Sequence, residues 1–250
     1  MSNPLDNFEV DLFKDQNPNC ERSLSVLKVK GRVENVRLFS PSTARSLTVL
    51  NEKAVDYELQ PVNFSTCAHK QEPYLSLNPY GQIPALEDGD FKLFESRAIT
   101  KYVASKYKET EPDLLRSHNI AEEALVNVWV EVEAQHYTPV IVPLVSELLR
   151  KSKLIKMTPD EAVVEEHTRP LEKDLDVYEE RLSKSKYLAG DFYSLADLHH
   201  LPYTYCLLQS SKASLITSRP HVKAWWDDIS SRLPWVKTAE GMKFWNPSPA

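Results

Sequence analysis

Leu77-Asn-Pro-Tyr-Gly-Gln-Ile-Pro-Ala-Leu-Glu-Asp-Gly-Asp-Phe-Lys-Leu-Phe-Glu-Ser-Arg-Ala-Ile-Thr-Lys-Tyr102 is the stretch around which the rest of the chain is organised. Asn78-Pro79 and Tyr80-Gly81 are turn signals. Pro84-Ala-Leu-Glu87 is a short extended run. Asp88-Gly89 is a two-residue hairpin signal joining it to Phe91-Lys-Leu-Phe94. Glu95-Ser96 opens a helix, because Ala98, Ile99, Tyr102 and Val103 recur at helical spacing. The order is therefore loop, strand, tight turn, strand, helix.

A hairpin that runs straight into a helix, with a proline just before its first strand, is the second half of a thioredoxin-like domain. Within that arrangement Asn78-Pro-Tyr-Gly-Gln-Ile-Pro-Ala85 and Phe94-Glu-Ser-Arg-Ala98 closely resemble the glutathione S-transferase family, its plant phi class best of all. The resemblance extends from about Leu27 to about Trp245. It implies a thioredoxin-like α/β domain, with a mixed four-stranded sheet and helices, followed by an all-helical domain.

Composition sets the outer limits. A chain of 250 residues exceeds one typical domain. With 42% hydrophobic, 10% aromatic and 26% charged residues it belongs among ordinary soluble globular proteins. A net charge of −6 argues against a nucleic-acid partner, which ordinarily needs a basic face. Cys20, Cys67 and Cys206 are odd in number and widely spaced, so neither a disulfide framework nor a zinc site is expected. The N-terminus is acidic and lacks the apolar core of a secretory signal, and no apolar run approaches the roughly 18 residues of a membrane span. A cytoplasmic protein is expected.

Residues 1–24 are polar, without sustained periodicity, and read as a flexible extension. Residues 25–108 form the expected thioredoxin-like domain, 109–118 a linker containing Pro112, and 119–250 the helical domain. The first strand is either Val26–Lys30 or Val36–Phe39, since about five residues more than the family's loop precede Ser40. Ser40-Pro41 then gives an N-cap with proline at the first helical position, ahead of Ala44, Leu47 and Leu50 on one face. Tyr57–Val62 reads as the second strand. Farther on, Glu122–Leu149 is helical with interruptions at Pro139 and Pro143. Thr158-Pro-Asp-Glu161 reads as a capping box, and Pro170 is expected to kink the helix it opens. Ser194 and Asp197 form a second capping box before an apolar run, a folding signal without chemistry of its own.

The resemblance assigns roles to particular side chains. Glutathione carries a thiol, two carboxylates and an ammonium group. Its thiol, if near a pKa of 8.5, is only about 3% ionised at pH 7. Lowering that pKa by about 2 units takes roughly 2.7 kcal/mol of differential stabilisation. A hydroxyl donor at the positive end of a helix is suited to the task. Ser40 stands where phi-class enzymes carry their catalytic serine; read from the residues alone it is equally an N-cap, with Ser42 the alternative hydroxyl. Ile83-Pro84 resembles the cis-proline element whose backbone pairs with the cysteinyl part of glutathione. Ser96 and the helix start would take the γ-glutamyl carboxylate and Glu95 the ammonium, though both residues equally suit a simple helix cap. Gln82 would add a contact, His69 and Lys70 would reach the glycyl carboxylate, and Arg97 would serve structure or electrostatics.

Phe39 would touch glutathione and, with Trp129 and Tyr137, form apolar walls for a second substrate between the domains. Tyr80 would anchor a homodimer. The five scattered glycines exclude a dinucleotide fingerprint or P-loop, and no metal is implied. The expected function is conjugation of glutathione, as co-substrate, to apolar electrophiles, with peroxide reduction as a side activity. The alternative is a non-catalytic carrier of apolar small molecules on the same scaffold.

Overall fold

A computed structural model describes residues 23–28, 40–64, 66–154 and 156–242. Phe39, the alternative strand Val36–Phe39 and nearly all of the expected extension lie outside the described residues. Four strands form one mixed sheet in the order β2-β1-β3-β4. They are β1 (Ser23–Lys28), β2 (Glu58–Val62), β3 (Ala85–Asp88) and β4 (Phe91–Phe94). β1 pairs antiparallel with β2 and parallel with β3, with Leu27 opposite both Leu59 and Leu86. A strand–helix–strand unit ordinarily gives parallel neighbours, so the β1–β2 direction departs from that rule.

β3 and β4 form the expected hairpin, but the turn sits one residue later than Asp88-Gly89. Asp88 pairs with Phe91, leaving Gly89 and Asp90 as the loop. Gly89 has φ +62°, the first-position glycine of a type II′ turn.

Helix α1 (Pro41–Glu52) lies between β1 and β2 in sequence, and α2 (Ser96–Lys106) follows β4 directly. Ser40 is the N-cap of α1 with Pro41 in the first turn, as expected. The Lys53 ammonium just beyond α1 holds the linker by donating to the carbonyls of Thr110 (2.6 Å) and Pro112 (2.7 Å).

The helical part begins with α3 (Ile120–Val132) and continues through a π-helical turn (Glu133–Tyr137) into α4 (Thr138–Val145). The expected breaks are absent. Pro139 falls in the first turn after the π-helical segment, where the hydrogen-bond ladder is already shifted and its missing N–H costs little. α5 (Glu161–Leu182) is capped by Asp160, which accepts from the Ala162 amide, rather than by Thr158, and it runs unbroken through Pro170.

α6 (Leu195–Leu198), α7 (Leu201–Leu208), α8 (Ser214–Thr217), α9 (Pro220–Ser230) and α10 (Leu233–Met242) complete the described chain. The Ser194/Asp197 capping box is present at α6. Asp197, fully buried, also accepts from the Leu188 amide (3.0 Å) and the Trp225 indole (2.9 Å). One buried cluster runs from Leu86 of the sheet through Leu47 and Ile99 to Trp129, Tyr178 and Trp225, so sheet and helices share a core.

Candidate active site

Ser40 sits in extended backbone at the mouth of α1, half-buried. Its Oγ accepts from the Thr43 amide at 3.2 Å. The hydroxyl proton itself has no acceptor among the described residues, so the cap leaves a donor at the positive end of a helix. The capping and donor readings are thus compatible. Ser42 lies one turn position inside, and its carbonyl accepts from Ser46 Oγ (3.4 Å).

Five residues along the same helix, Arg45 is fully enclosed. Its Nη1 donates to Ser96 Oγ (2.9 Å), its Nη2 to Glu133 Oε1 (2.9 Å), and it also reaches the His199 carbonyl (3.3 Å). Arg97 holds the other Glu133 oxygen at 2.7 Å and Thr138 Oγ1 at 2.8 Å. Burial alone would raise the Glu133 pKa, but the Arg45 and Arg97 guanidinium groups bring it down to about 2. The start of α2 is thereby tied to α1 and to the helical part through one buried carboxylate.

Ser96 is buried and directs its hydroxyl into this network, accepting from Arg45. Glu95 precedes it with φ +67° and ψ 110°, makes no side-chain cap, and is exposed. That backbone is strained for a residue with a Cβ, at a cost of about 1–3 kcal/mol. The simple-cap reading of Glu95 and Ser96 is therefore corrected: neither side chain caps α2.

The loop before β3 is built around Gly81, whose φ is +59°. A Cβ there would lie 2.6 Å from the His69 carbonyl oxygen and 2.7 Å from Lys70 Cδ, so only glycine fits. Lys70 Nζ donates to the Tyr80 carbonyl (3.0 Å). The Gln82 carbonyl accepts from Tyr74 OH (2.7 Å) and Asn78 Nδ2 (2.8 Å), while Asn78 Oδ1 accepts from the Tyr80 amide (3.0 Å). The Ile83-Pro84 bond that follows is cis, as expected. His69 stacks on Phe64 with ring centroids 4.3 Å apart, and its buried Nδ1 has no partner among the described residues. Burial and then the Lys70 charge lower the His69 pKa, so the ring is neutral at pH 7.

Two expected wall residues are misplaced. Tyr137 is 1% exposed and Trp129 9%. Both pack against Tyr178, and Tyr137 bonds to Thr204 Oγ1 (2.8 Å). Flat, large side chains on the inner face of a helix go to the core, so an apolar cleft must be walled by others. Sequence reasoning missed Glu133 and gave Asn78 only as a turn. The available signal for Glu133 was an acid at helical spacing with Trp129 and Tyr137, since a charge on an inward stripe needs a partner.

Among the described residues no His, Cys, Asp or Glu cluster is arranged to hold a metal ion. No helix among them is long and apolar enough to cross a membrane.

The family description "Glutathione S-transferase, N-terminal domain" matches residues 36–105, and "Glutathione S-transferase, C-terminal domain" matches residues 137–232. The first match begins after β1 and includes Val36–Phe39. The chain is 49% identical to glutathione S-transferase F13 of Arabidopsis thaliana over 81% of its own length and 92% of that protein. It superposes on the crystal structure of glutathione transferase F7 from Populus trichocarpa with a TM-score of 0.80 at 51% identity, covering 87% of this chain and 98% of that one. A structure of maize glutathione S-transferase I in complex with an atrazine glutathione conjugate matches at 46% identity and a TM-score of 0.78, over 89% and 99% of the two chains. The matched sequence, the shared fold and the cis-proline loop together place the chain in the glutathione S-transferase family, in its plant phi class.

Proposed function

We infer that this protein is a glutathione transferase that joins the sulfur of glutathione to the electrophilic carbon of an apolar compound. The observation that carries the reading is the hydroxyl proton of Ser40, without an acceptor among the described residues, at the start of α1, on the helix whose Arg45 holds Ser96. Ser40 donates to the glutathione sulfur and, with the helix dipole, favours thiolate over thiol. The thiolate attacks, a carbon–sulfur bond forms, the bond to the leaving group breaks with its electron pair, and the thiol proton passes to solvent. Reduction of organic peroxides by the same thiolate is a side activity.

The remaining contacts hold the tripeptide. Ser96 and the α2 N-terminus take the γ-glutamyl carboxylate, and exposed Glu95 takes the ammonium group. Gln82 and the Ile83 backbone beside Pro84 meet the cysteinyl part, and His69 and Lys70 meet the glycyl carboxylate. Arg97 adds positive potential near Ser96, and Phe39 borders both substrates. Tyr80, 68% exposed in a rigid turn, supports a homodimer. Cys67, exposed, and Cys206, buried, are not joined in a disulfide, which suits the reducing cytoplasm.

Steady-state kinetics on Ser40→Ala tests the chemistry. The variant is expected to lose roughly 10²–10³-fold in kcat, the usual effect of removing one donor to a developing anion. Glutathione binding by calorimetry stays within a few-fold of the parent. Unchanged turnover overturns the assignment of Ser40.

A further inference from the structure

His199 is the first residue beyond α6, wholly buried, and its backbone and ring hold two different elements. Its carbonyl accepts from Arg45 Nε and Nη2, both at 3.3 Å, while Arg45 Nη1 holds Ser96. Its ring Nε2 lies 2.8 Å from Thr100 Oγ1, and Thr100 stands one turn along α2 from Ser96, on the same face. The Thr100 hydroxyl donates to the Arg97 carbonyl at 2.8 Å. It has no second proton, so it accepts from His199, and the ring carries its hydrogen on Nε2. Nδ1 is then a bare acceptor, buried and without a partner among the described residues. Burial, and then the Arg45 charge, lower the pKa of the ring well below the ordinary 6.5 and keep it neutral.

An acceptor stranded in this way costs stability, which an apolar side chain in the same place would avoid. On this side α2 is not packed against α3. A cavity of about 190 Å³ separates them, with Arg97 and Ala98 on one wall, Val126 and Val130 on the other, and His199 beside them. The polar grip of His199 therefore holds α2 where packing does not. We propose that His199 is a positioning residue for the glutathione site: with its carbonyl on Arg45 and its ring on Thr100, it fixes Ser96 and the first turn of α2 at the γ-glutamyl end of the tripeptide. The bonds reach two residues four apart on one helix, so that turn can neither rotate nor slide without breaking one of them. A carboxylate docked on a helix start depends on the direction of its amides, and misplacing them weakens the contact. Wholly buried, His199 touches no substrate. Its role rests on glutathione being the ligand of the site, as inferred from Ser40.

The test is steady-state kinetics on His199→Phe, His199→Gln and Thr100→Val, with glutathione and 1-chloro-2,4-dinitrobenzene varied in turn. Phenylalanine keeps a ring and the backbone carbonyl but removes the Nε2 donor, and valine removes the hydroxyl with little change of shape. Each is expected to raise KM for glutathione roughly five- to ten-fold, the scale of one buried hydrogen bond. The kcat at saturating glutathione and the KM for the chloroarene stay at their parental values. Glutamine, whose amide nitrogen reaches the place of Nε2, restores the KM. Combining His199→Phe with Thr100→Val adds nothing to either alone, because both remove the same bond. An unchanged KM for glutathione, a fall in kcat equal to the rise in KM, no rescue by glutamine, or loss of folding in both the phenylalanine and valine variants each overturns the proposal. None of these outcomes bears on Ser40, whereas a parent that fails to conjugate glutathione overturns the reading of the site itself.

Discussion

Glu95 holds a backbone conformation that glycine tolerates and glutamate does not, with φ at +67° immediately before the buried Ser96. Strain retained at a surface residue needs a return, and the proposed role of Glu95 at the γ-glutamyl ammonium would supply one. Glu95→Gly is therefore expected to leave the melting temperature unchanged or raised while KM for glutathione rises at least ten-fold. A lower melting temperature with KM unchanged overturns that account. Glu133 makes the same argument by charge. With its pKa at about 2 against an ordinary 4.5, its contribution to stability is fully present above pH 4.5 and is lost as pH falls toward 2. The difference amounts to on the order of 3 kcal/mol. Glu133→Gln strands two guanidinium groups and is expected to lose about 3–5 kcal/mol at pH 7. Urea midpoints measured at pH 7 and pH 3 are expected to converge, because at pH 3 the parent has begun to lose the same stabilisation. A gap of equal size at both pH values removes Glu133 as its source.

At the level of elements, α6 shows how a short helix is held. Asp197 receives the Ser194 amide (3.0 Å) and hydroxyl (3.2 Å), the Leu188 amide and the Trp225 indole, all buried. Burial nonetheless pushes its pKa up to about 6. Asp197→Ala leaves these donors without an acceptor, each at about 1–3 kcal/mol, whereas Asp197→Asn retains one oxygen. Thermal unfolding is expected to rank parent above Asn above Ala, with Ala losing several kcal/mol; equal losses for Asn and Ala refute the cap as the cause. Elements carried by local chemistry were legible from sequence: the Ser40-Pro41 start, the β3–β4 hairpin, the Ser194/Asp197 box. What was not legible depends on partners distant along the chain. Glu133 reads as an ordinary helical acid until Arg45, 88 residues earlier, is packed on it. Tyr137 reads as a cleft wall until Tyr178 and Thr204 enclose it. Thr158 and Asp160 are both good caps, and only packing chooses between them.

In the whole molecule α1 is the spine, with Ser40 at one end, Arg45 reaching α2 and Glu133 from its middle, and Glu52 meeting Arg232 at the other. That construction faces inward, and several large apolar side chains among the described residues stay exposed, Tyr80 among them. Tyr80 stands on the turn beside Phe94, ring centroids 6.0 Å apart, and Ile120, Leu125 and Val128 of α3 are exposed as well. In the proposed homodimer, a second copy of the chain would cover Tyr80. Tyr80 makes its intramolecular bonds through its amide and carbonyl, to Asn78 and Lys70, so a change of side chain leaves the turn's hydrogen bonds in place. Tyr80→Glu is thus expected to sediment at half the mass of the parent with an unchanged circular dichroism spectrum. A parent that sediments as a monomer, or a variant that stays dimeric, removes Tyr80 as the anchor.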